Sequence, residues 1–388
     1  STADAAKSLY PQACGSRSKG RRRSGKAEGM TTPIRISSID QLAVVVPYLF
    51  GFVPQHSIVV VGTRDRQIKI QARVDIPPDR VVTKVARSTL DPVSRRRPDG
   101  VTLLAFESHP GQSRRAIAGF AAIAKRFALT VEGIAIVRDG RWWDVGDPDW
   151  PDEGVPLPSR EEIGAVAELV GLGLAPHPSR EALAASVSSP SAHDTAGPDF
   201  AEAIGAERDT IVSARAAGPR ELRAAWAQQL TAWVRLLDPD RRGESGIGGQ
   251  DLVLLAASLH DIPFRDGLIS WVSGDEIGFV DYDPVLVPLL KRTLKEFAAH
   301  RAPSVDPHES LRRWARVTDR LATLCAAVPD PWAGPALTVL AHHCWWHGDG
   351  ALARVALDRA LQSTPDYVLA QLLSQVLDHG IAPPRLVA

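Results

Sequence analysis

Residues 46–78 read VPYLFGFVPQHSIVVVGTRDRQIKIQARVDIPP, and this stretch predicts the strand pair on which the N-terminal half is built. Pro47 is expected to end or kink the short helix that precedes the strands. Residues 58–61 are a run of β-branched side chains, which is typical of a strand covered on both faces. From Ile68 to Ile76 apolar and polar residues alternate, so we expect one apolar and one polar face.

The next segments predict that this pair belongs to a larger sheet. Residues 101–106 and 133–137 are further apolar runs, and residues 113–129 carry apolar side chains at helical spacing. Asp139-Gly140 is a strong two-residue hairpin signal that leads into residues 141–143, Arg-Trp-Trp. We therefore expect a mixed α/β sheet of at least four strands.

The second half of the chain has the spacing of helices. One stripe after residue 200 consists of Leu222, Trp226, Leu230, Trp233 and Leu237. In the last two helices, the small residues Ala341, Ala353 and Ala360 and the following Pro365 resemble a single tetratricopeptide repeat. Such arrays need about three copies to be stable, so we expect one repeat-like hairpin packed on other helices.

These patterns predict an α+β fold class. An N-terminal mixed α/β sheet domain, residues 34–158, precedes an all-helical, repeat-like C-terminal domain, residues 200–388. Short helices and a linker, residues 159–199, are expected between them. A basic tail is expected over residues 1–33, because its first 29 residues hold seven basic and two acidic side chains. That composition, with its Ser and Gly, is typical of a disordered segment.

Composition limits the classes of function. The chain carries 45 basic and 45 acidic residues, so no global field attracts it to nucleic acid or to an anionic membrane. Its three cysteines are widely spaced, which disfavours a disulfide framework and indicates the cytoplasm. No apolar leader is visible near the N-terminus, and prolines interrupt the uncharged residues 41–63, so a membrane span is not expected.

Several phrases of the sequence together resemble a known family. They are VPYLFGFVPQHSIVVVG, ARVDIPP, GRWW, HDIPFRD and GDGALARVALDRALQSTPDYVLAQLL, within residues 36–384. The family is actinobacterial and uncharacterised, catalogued as domain of unknown function 4192. The resemblance implies an intracellular protein and carries no assigned active site. Relatives often have cysteines shortly after the tryptophan pair, whereas the loop here, DVGDPDWPDEG, has none.

Polar side chains lie where the predicted strands end. Asp75 ends the second strand, and Glu107 and His109 follow the third. If the strands are neighbours, these groups could act as general acid and base or hold a divalent metal. Arg73 and Arg141 are candidate binding residues at the same edge. The alternative is a solvated edge in which Arg73 pairs with Asp75, because the spacing is not specific to any chemistry.

The helical half has two further polar clusters. Asp261, Arg265 and Asp266, in HDIPFRD, are candidate binding residues, and the alternative is a set of structural ion pairs. In HHCWWH, His343 and His347 have the i, i+4 spacing that zinc ligands use on a helix. The sequence shows no returning ligand pair, so we predict no metal site and expect helix packing there.

The function that this sequence best supports is an interaction or regulatory protein. Its α/β domain would bind a ligand or partner, and its helical domain would bind a protein partner. An alternative is a metal-assisted hydrolase that uses Asp75, Glu107 and His109. A third interpretation, supported only by the basic tail and surface arginines, is association with nucleic acid. No cofactor is predicted, since the Gly-rich GESGIGGQ lacks the Lys-Ser/Thr ending of a P-loop, and the sequence does not decide whether the protein is an enzyme.

Overall fold

The structure is a computed structural model, and it describes most of the chain from Ile36 to Pro383. The described residues are 36, 38–65, 67–188, 198–237, 247–272, 283, 285–293, 307–330 and 332–383. The predicted basic tail and most of the predicted linker, residues 189–197, lie outside these ranges.

The N-terminal half forms one mixed sheet, and each predicted strand is present. The strands are β1 Ser57–Arg64, β2 Gln67–Asp75, β3 Gly100–Phe106, β4 Val131–Arg138, β5 Arg141–Asp144 and β6 Val155–Pro156. Their order is β2-β1-β3-β4-β5-β6. Only β3 and β4 are parallel neighbours, and the other adjacent pairs are antiparallel.

Helices cover the sheet and, with the loops that connect them, form the rest of the described chain. Those of the N-terminal half are α1 Ile39–Phe50, α2 Val82–Arg95, α3 Arg114–Arg126, α4 Gly164–Gly171 and α5 Arg180–Ser186. Those of the C-terminal half are α6 Pro198–Ala217, α7 Pro219–Leu237, α8 Gly249–Ser258, α9 Ile262–Val272, α10 Leu286–Thr293, α11 Pro307–Ala327, α12 Gly334–His347, α13 Gly350–Ser363 and α14 Val368–Asp378. The expected α+β class is confirmed. None of the helices in the described part of the chain has the length and apolar composition that a membrane span requires.

Strands β1 and β3 are buried on both faces. For β1 this was predicted by the apolar run at residues 58–61. Ile58 and Val60 pack under α2 and α3 with Leu103 of β3. Val59 and Val61 point to the other face, where they join Leu104 and the side chains of α1. Alternate residues of one strand therefore belong to two separate cores.

The core on the α1 face continues into the helical half. The same cluster of buried side chains runs from Val59 through Leu183 and Val187, around α5, to Trp226 and Trp233 of α7. The predicted stripe on α7 is fully part of it. The two halves therefore share one hydrophobic core, and its burial contributes about 25 cal/mol per Å² of apolar surface.

The structure differs from the local sequence pattern at two places. Pro47 does not end the first helix, which continues to Phe50 and ends at Gly51 in a left-handed conformation, φ 70°. Burial of Tyr48 and Phe50 favours the longer helix over the local preference of proline. Ile68 does not share a face with Ile70, because a β-bulge shifts the register between them and turns Ile68 to the α1 face.

A single arginine on α13 connects the end of α5, in the N-terminal half, with the end of α11, in the C-terminal half. The guanidinium of Arg359, on α13, donates to the carbonyl oxygens of Val187 after α5, Cys325 on α11 at 2.7 Å, and Val328 at 3.2 Å. It also lies 3.4 Å from the carboxylate of Asp330. Unpaired carbonyls at helix ends attract cations, so this side chain satisfies groups that the helices leave open.

We expect Arg359→Met to destabilise the protein by about 2–4 kcal/mol, because it leaves buried carbonyl groups without a donor. Urea unfolding of the full chain measures the change. The control is Arg95→Met, which removes an exposed pair with Asp91 on α2 and should cost less than about 1 kcal/mol. Equal losses in the two variants would contradict the role assigned to Arg359.

Candidate functional site

The C-terminal ends of β2, β3 and β4 lie at the same end of the sheet. This is the arrangement that would bring the candidate catalytic residues near one another. Strands β2 and β3 are both antiparallel to β1, and β3 is parallel to β4. In register, Asp75 and Phe106 lie on opposite sides of Ser57. Because neighbouring strands are about 4.8 Å apart, the backbones of Asp75 and Phe106 are roughly 10 Å apart.

Glu107 is buried, and its carboxylate is already occupied by donors of the protein. One oxygen accepts the backbone N–H of Ser113 at 2.8 Å and its hydroxyl at 2.7 Å. The other accepts from Gly111 N at 3.3 Å and from the Arg138 guanidinium at 2.8 Å. The N-terminus of α3 is a position where α/β proteins often bind anions, and here an internal carboxylate fills it.

Arg138 was not predicted as part of this cluster. Its guanidinium pairs with Glu107 and lies 4.4 Å from the centre of the Trp143 ring on β5. The Trp143 indole N–H in turn donates to the carbonyl of Asp152 at 3.0 Å. This chain of contacts links the loop before α3 to the loop after β5.

The other candidates at this edge are separate from Glu107. Asp75 is exposed and pairs with Arg73 at 2.6 Å, which is the contact expected for a solvated edge. Burial lowers the pKa of Arg73, whose guanidinium also donates to the Ser57 hydroxyl at 2.8 Å. His109 is exposed. Arg141 donates to the carbonyls of Glu153 and Gly154 at 2.7 and 2.9 Å, so it holds the loop after β5.

We expect Glu107→Gln to lower the free energy of unfolding by about 2–3 kcal/mol, since the amide puts a donor against donors and leaves Arg138 without its partner. Thermal and urea unfolding report the change. Asp75→Asn is the matched control at the same edge, and its exposed carboxylate should contribute little. A Glu107→Gln variant as stable as the control would show that the carboxylate is not a structural anchor.

The histidines of HHCWWH lie inside the helical half. The rings of His343 and His347 are 4.6 Å apart between centroids, and His347 contacts Trp314 of α11. Cys344 is buried, and burial raises the pKa of its thiol. Among the described residues, no three His, Cys, Asp or Glu side chains are grouped in a way that could hold a metal ion.

Asp261 precedes α9 and holds two other helices. Its carboxylate accepts the Trp226 indole N–H at 2.8 Å and the Arg215 guanidinium at 2.9 Å. Burial raises the pKa of this carboxyl group. The guanidinium of Arg215 also lies over the Trp226 ring, 5.6 Å from its centre. Asp261 therefore fixes α6 and α7 against the start of α9.

Arg265 connects α9 to α14. Its guanidinium pairs with Asp266 at 2.7 Å and donates to the Tyr367 hydroxyl at 2.8 Å. Two large aliphatic side chains next to this contact are exposed: Ile262, one turn earlier on α9, at 59%, and Val368, at the start of α14, at 62%. Two segments that are distant in sequence thus meet: residues 260–266, HDIPFRD, and residues 364–368, TPDYV.

Trp332 extends this area. The ring of His260, two residues before Ile262, makes an edge contact with Trp332 at 5.4 Å between centroids. Both Trp332 and Tyr367 are partly buried. We call the area formed by Ile262, Arg265, Trp332, Tyr367 and Val368 the α9–α14 surface.

A depression of about 590 Å³ lies at the opposite end of the sheet from Asp75. Lys125, Glu132, Asp144 and Asp147 contribute its charged groups. The depression is open to solvent, and none of the candidate catalytic or binding residues predicted from the sequence line it. It offers a weaker basis for function than the α9–α14 surface.

The model of a family described as "Domain of unknown function (DUF4192)" matches residues 40–278 and 281–384. The chain belongs to this family. No curated protein and no solved structure matches the chain. The matched ranges include both the strand pair and the α9–α14 surface.

We expect stability to fall in acid because burial lowers the pKa of His260 from 6.5 to about 4, with the nearby Arg208 acting in the same direction. Between pH 6.5 and 4 the unfolded chain binds a proton that the folded chain excludes, so the contribution is complete above pH 6.5 and lost towards pH 4. The loss is on the order of 2–3 kcal/mol. His342, with a pKa also lowered to about 4 by burial, adds to the fall.

The stability difference between wild type and His260→Asn, measured at pH 7.5 and 4.5, isolates the contribution of His260. Asp349, whose pKa is raised to about 6 by burial, acts in the opposite direction but is common to both proteins. The Asn variant should be less sensitive to acid than wild type. Equal acid sensitivity of the two proteins would contradict the assignment, and His109→Asn, at an exposed ring, is the control.

Proposed function

We propose that this member of the DUF4192 family is an interaction or regulatory protein that binds a protein partner through the α9–α14 surface. The observation that carries the proposal is the pair of exposed aliphatic side chains, Ile262 and Val368, beside the fixed contact of Arg265 with Tyr367. The N-terminal sheet domain, residues 34–158, is then the rigid body to which the helical half is attached.

The composition of the surface supports protein binding. Tyr, Trp and Arg are enriched at the centres of protein interfaces, where a few such residues supply most of the binding free energy. Arg265, Trp332 and Tyr367 are held by contacts within the protein, so they would lose little conformational entropy when a partner binds. Pre-organisation of this kind favours affinity without a conformational change.

The charges near the surface indicate the partner's chemistry. Arg208 is exposed and lies close enough to His260 to lower its pKa, whereas Arg265, with 11% of its side chain exposed, is already paired with Asp266. We therefore expect a partner that places an apolar side chain against Ile262 and Val368, with a carboxylate nearby. Complementary charge of this type mainly increases the association rate and the specificity.

The alternatives from the sequence have less support from the geometry. A hydrolase based on Asp75, Glu107 and His109 would need a carboxylate free to exchange protons or hold a metal. Glu107 instead accepts from Ser113, Gly111 and Arg138. The tail that suggested nucleic acid lies outside the described residues.

Photo-crosslinking in the native host tests the proposal. A photoreactive side chain is placed in the full chain at position 262 or 368, and as control at Val170 of α4, an apolar side chain that is 55% exposed. Positions 262 and 368 should capture the same partner, and position 170 should not. The purified partner should then bind Ile262→Asp and Val368→Asp at least about tenfold more weakly than Val170→Asp. Capture of the same partner from all three positions, or equal affinities of the three variants, would rule the surface out.

A further inference from the structure

The edge of the sheet formed by β2 is long, and its charged residues are Lys69, Arg73 and Asp75. Among the described strands, β2 is the last on its side of the sheet, and it has nine residues. The hydrogen bond from Ile76 N to His56 O extends the β1–β2 ladder, so the even-numbered residues of β2 direct their backbone groups towards β1. The odd-numbered residues Gln71, Arg73 and Asp75 direct theirs outward.

We infer that this edge pairs with β2 of a second copy of the chain, antiparallel and about a two-fold axis through Ala72. In this register Gln71 lies opposite Arg73 of the other copy, and both carry outward-directed backbone groups. Lys69 lies opposite Asp75, and the symmetry makes this pair occur twice. Asp75 is 72% exposed, and Lys69 is exposed, so both remain accessible for the contact.

Charge selects this register over its neighbours. A two-fold axis through Gln71 would place Lys69 opposite Arg73, and an axis through Arg73 would place two Arg73 side chains opposite each other. Like charges directly opposite destabilise a strand pair, whereas opposite charges stabilise it. The apolar partners also match, since Ile70 then lies opposite Val74 on the face covered by α2.

The remaining geometry favours a closed pair of copies. The bulge between Ile68 and Ile70 leaves Lys69 without a partner on β1 and increases the local twist of this edge strand. The other edge of the sheet, β6, has only two residues and offers no comparable strand for head-to-tail growth. A strand pairing with itself about a two-fold axis closes after two copies.

Sedimentation velocity of the full chain, over concentrations up to the high micromolar range, tests the inference. Wild type should form a dimer, and Lys69→Glu should weaken association by roughly tenfold or more, because it places carboxylates opposite each other. Lys69→Glu with Asp75→Lys should restore the dimer. Lys84→Glu, an exposed lysine on α2, is the control and should leave association unchanged.

Amide hydrogen exchange gives a second readout that needs no variant. In the wild type, the amides of Gln71 and Arg73 should exchange more slowly as the concentration rises. A monomer at all concentrations would overturn the inference, as would a dimer unaffected by Lys69→Glu or exchange at these two amides that does not depend on concentration.

Discussion

Strands β1 and β3 are buried on both faces, and the helical layers on the two sides of the sheet follow from that burial. A strand without a polar face cannot lie at the surface, so the sheet needs two covering layers. The layer of α2 and α3 comes from the N-terminal half itself. The other layer begins with α1, and its core continues without interruption into the helices of the C-terminal half. The helical half thus completes a core that the sheet begins.

Three charged side chains that are buried or partly buried form internal contacts between elements of this arrangement. Glu107 accepts from the loop before α3, Asp261 accepts from Trp226 and Arg215, and Arg359 donates to the ends of α5 and α11. Each of these groups has several hydrogen-bond partners, as burial of a charge requires. Glu107, which looks catalytic in the sequence, is therefore engaged in stabilising contacts. The features that we propose for partners are on the surface, at the exposed side chains beside Arg265 and at the open edge of β2.

The elements that the sequence predicted correctly are those that depend on local sequence pattern. The strands, the helical stripe of α7 and the Asp139-Gly140 turn follow from periodicity and backbone preference, with φ 51° and 72° at the two turn residues. The bulge that reverses Ile68 and the continuation of α1 through Pro47 depend on packing against other elements, which the pattern does not contain. The contact between Arg265 and Tyr367 joins residues 102 positions apart. HDIPFRD indicated a charged cluster, but no signal in the sequence indicated that Tyr367 would be its partner.

The sheet and the helical half share one core, so we expect them to unfold together. Native-state hydrogen exchange of the full chain at increasing denaturant measures whether they do. The amides of residues 58–61 in β1 and of residues 226–233 in α7 should reach the same opening free energy and the same dependence on denaturant, because both require loss of the shared core. If the amides of α7 open with a clearly lower free energy while those of β1 stay protected, the helical half is a separate unit and the expectation is wrong.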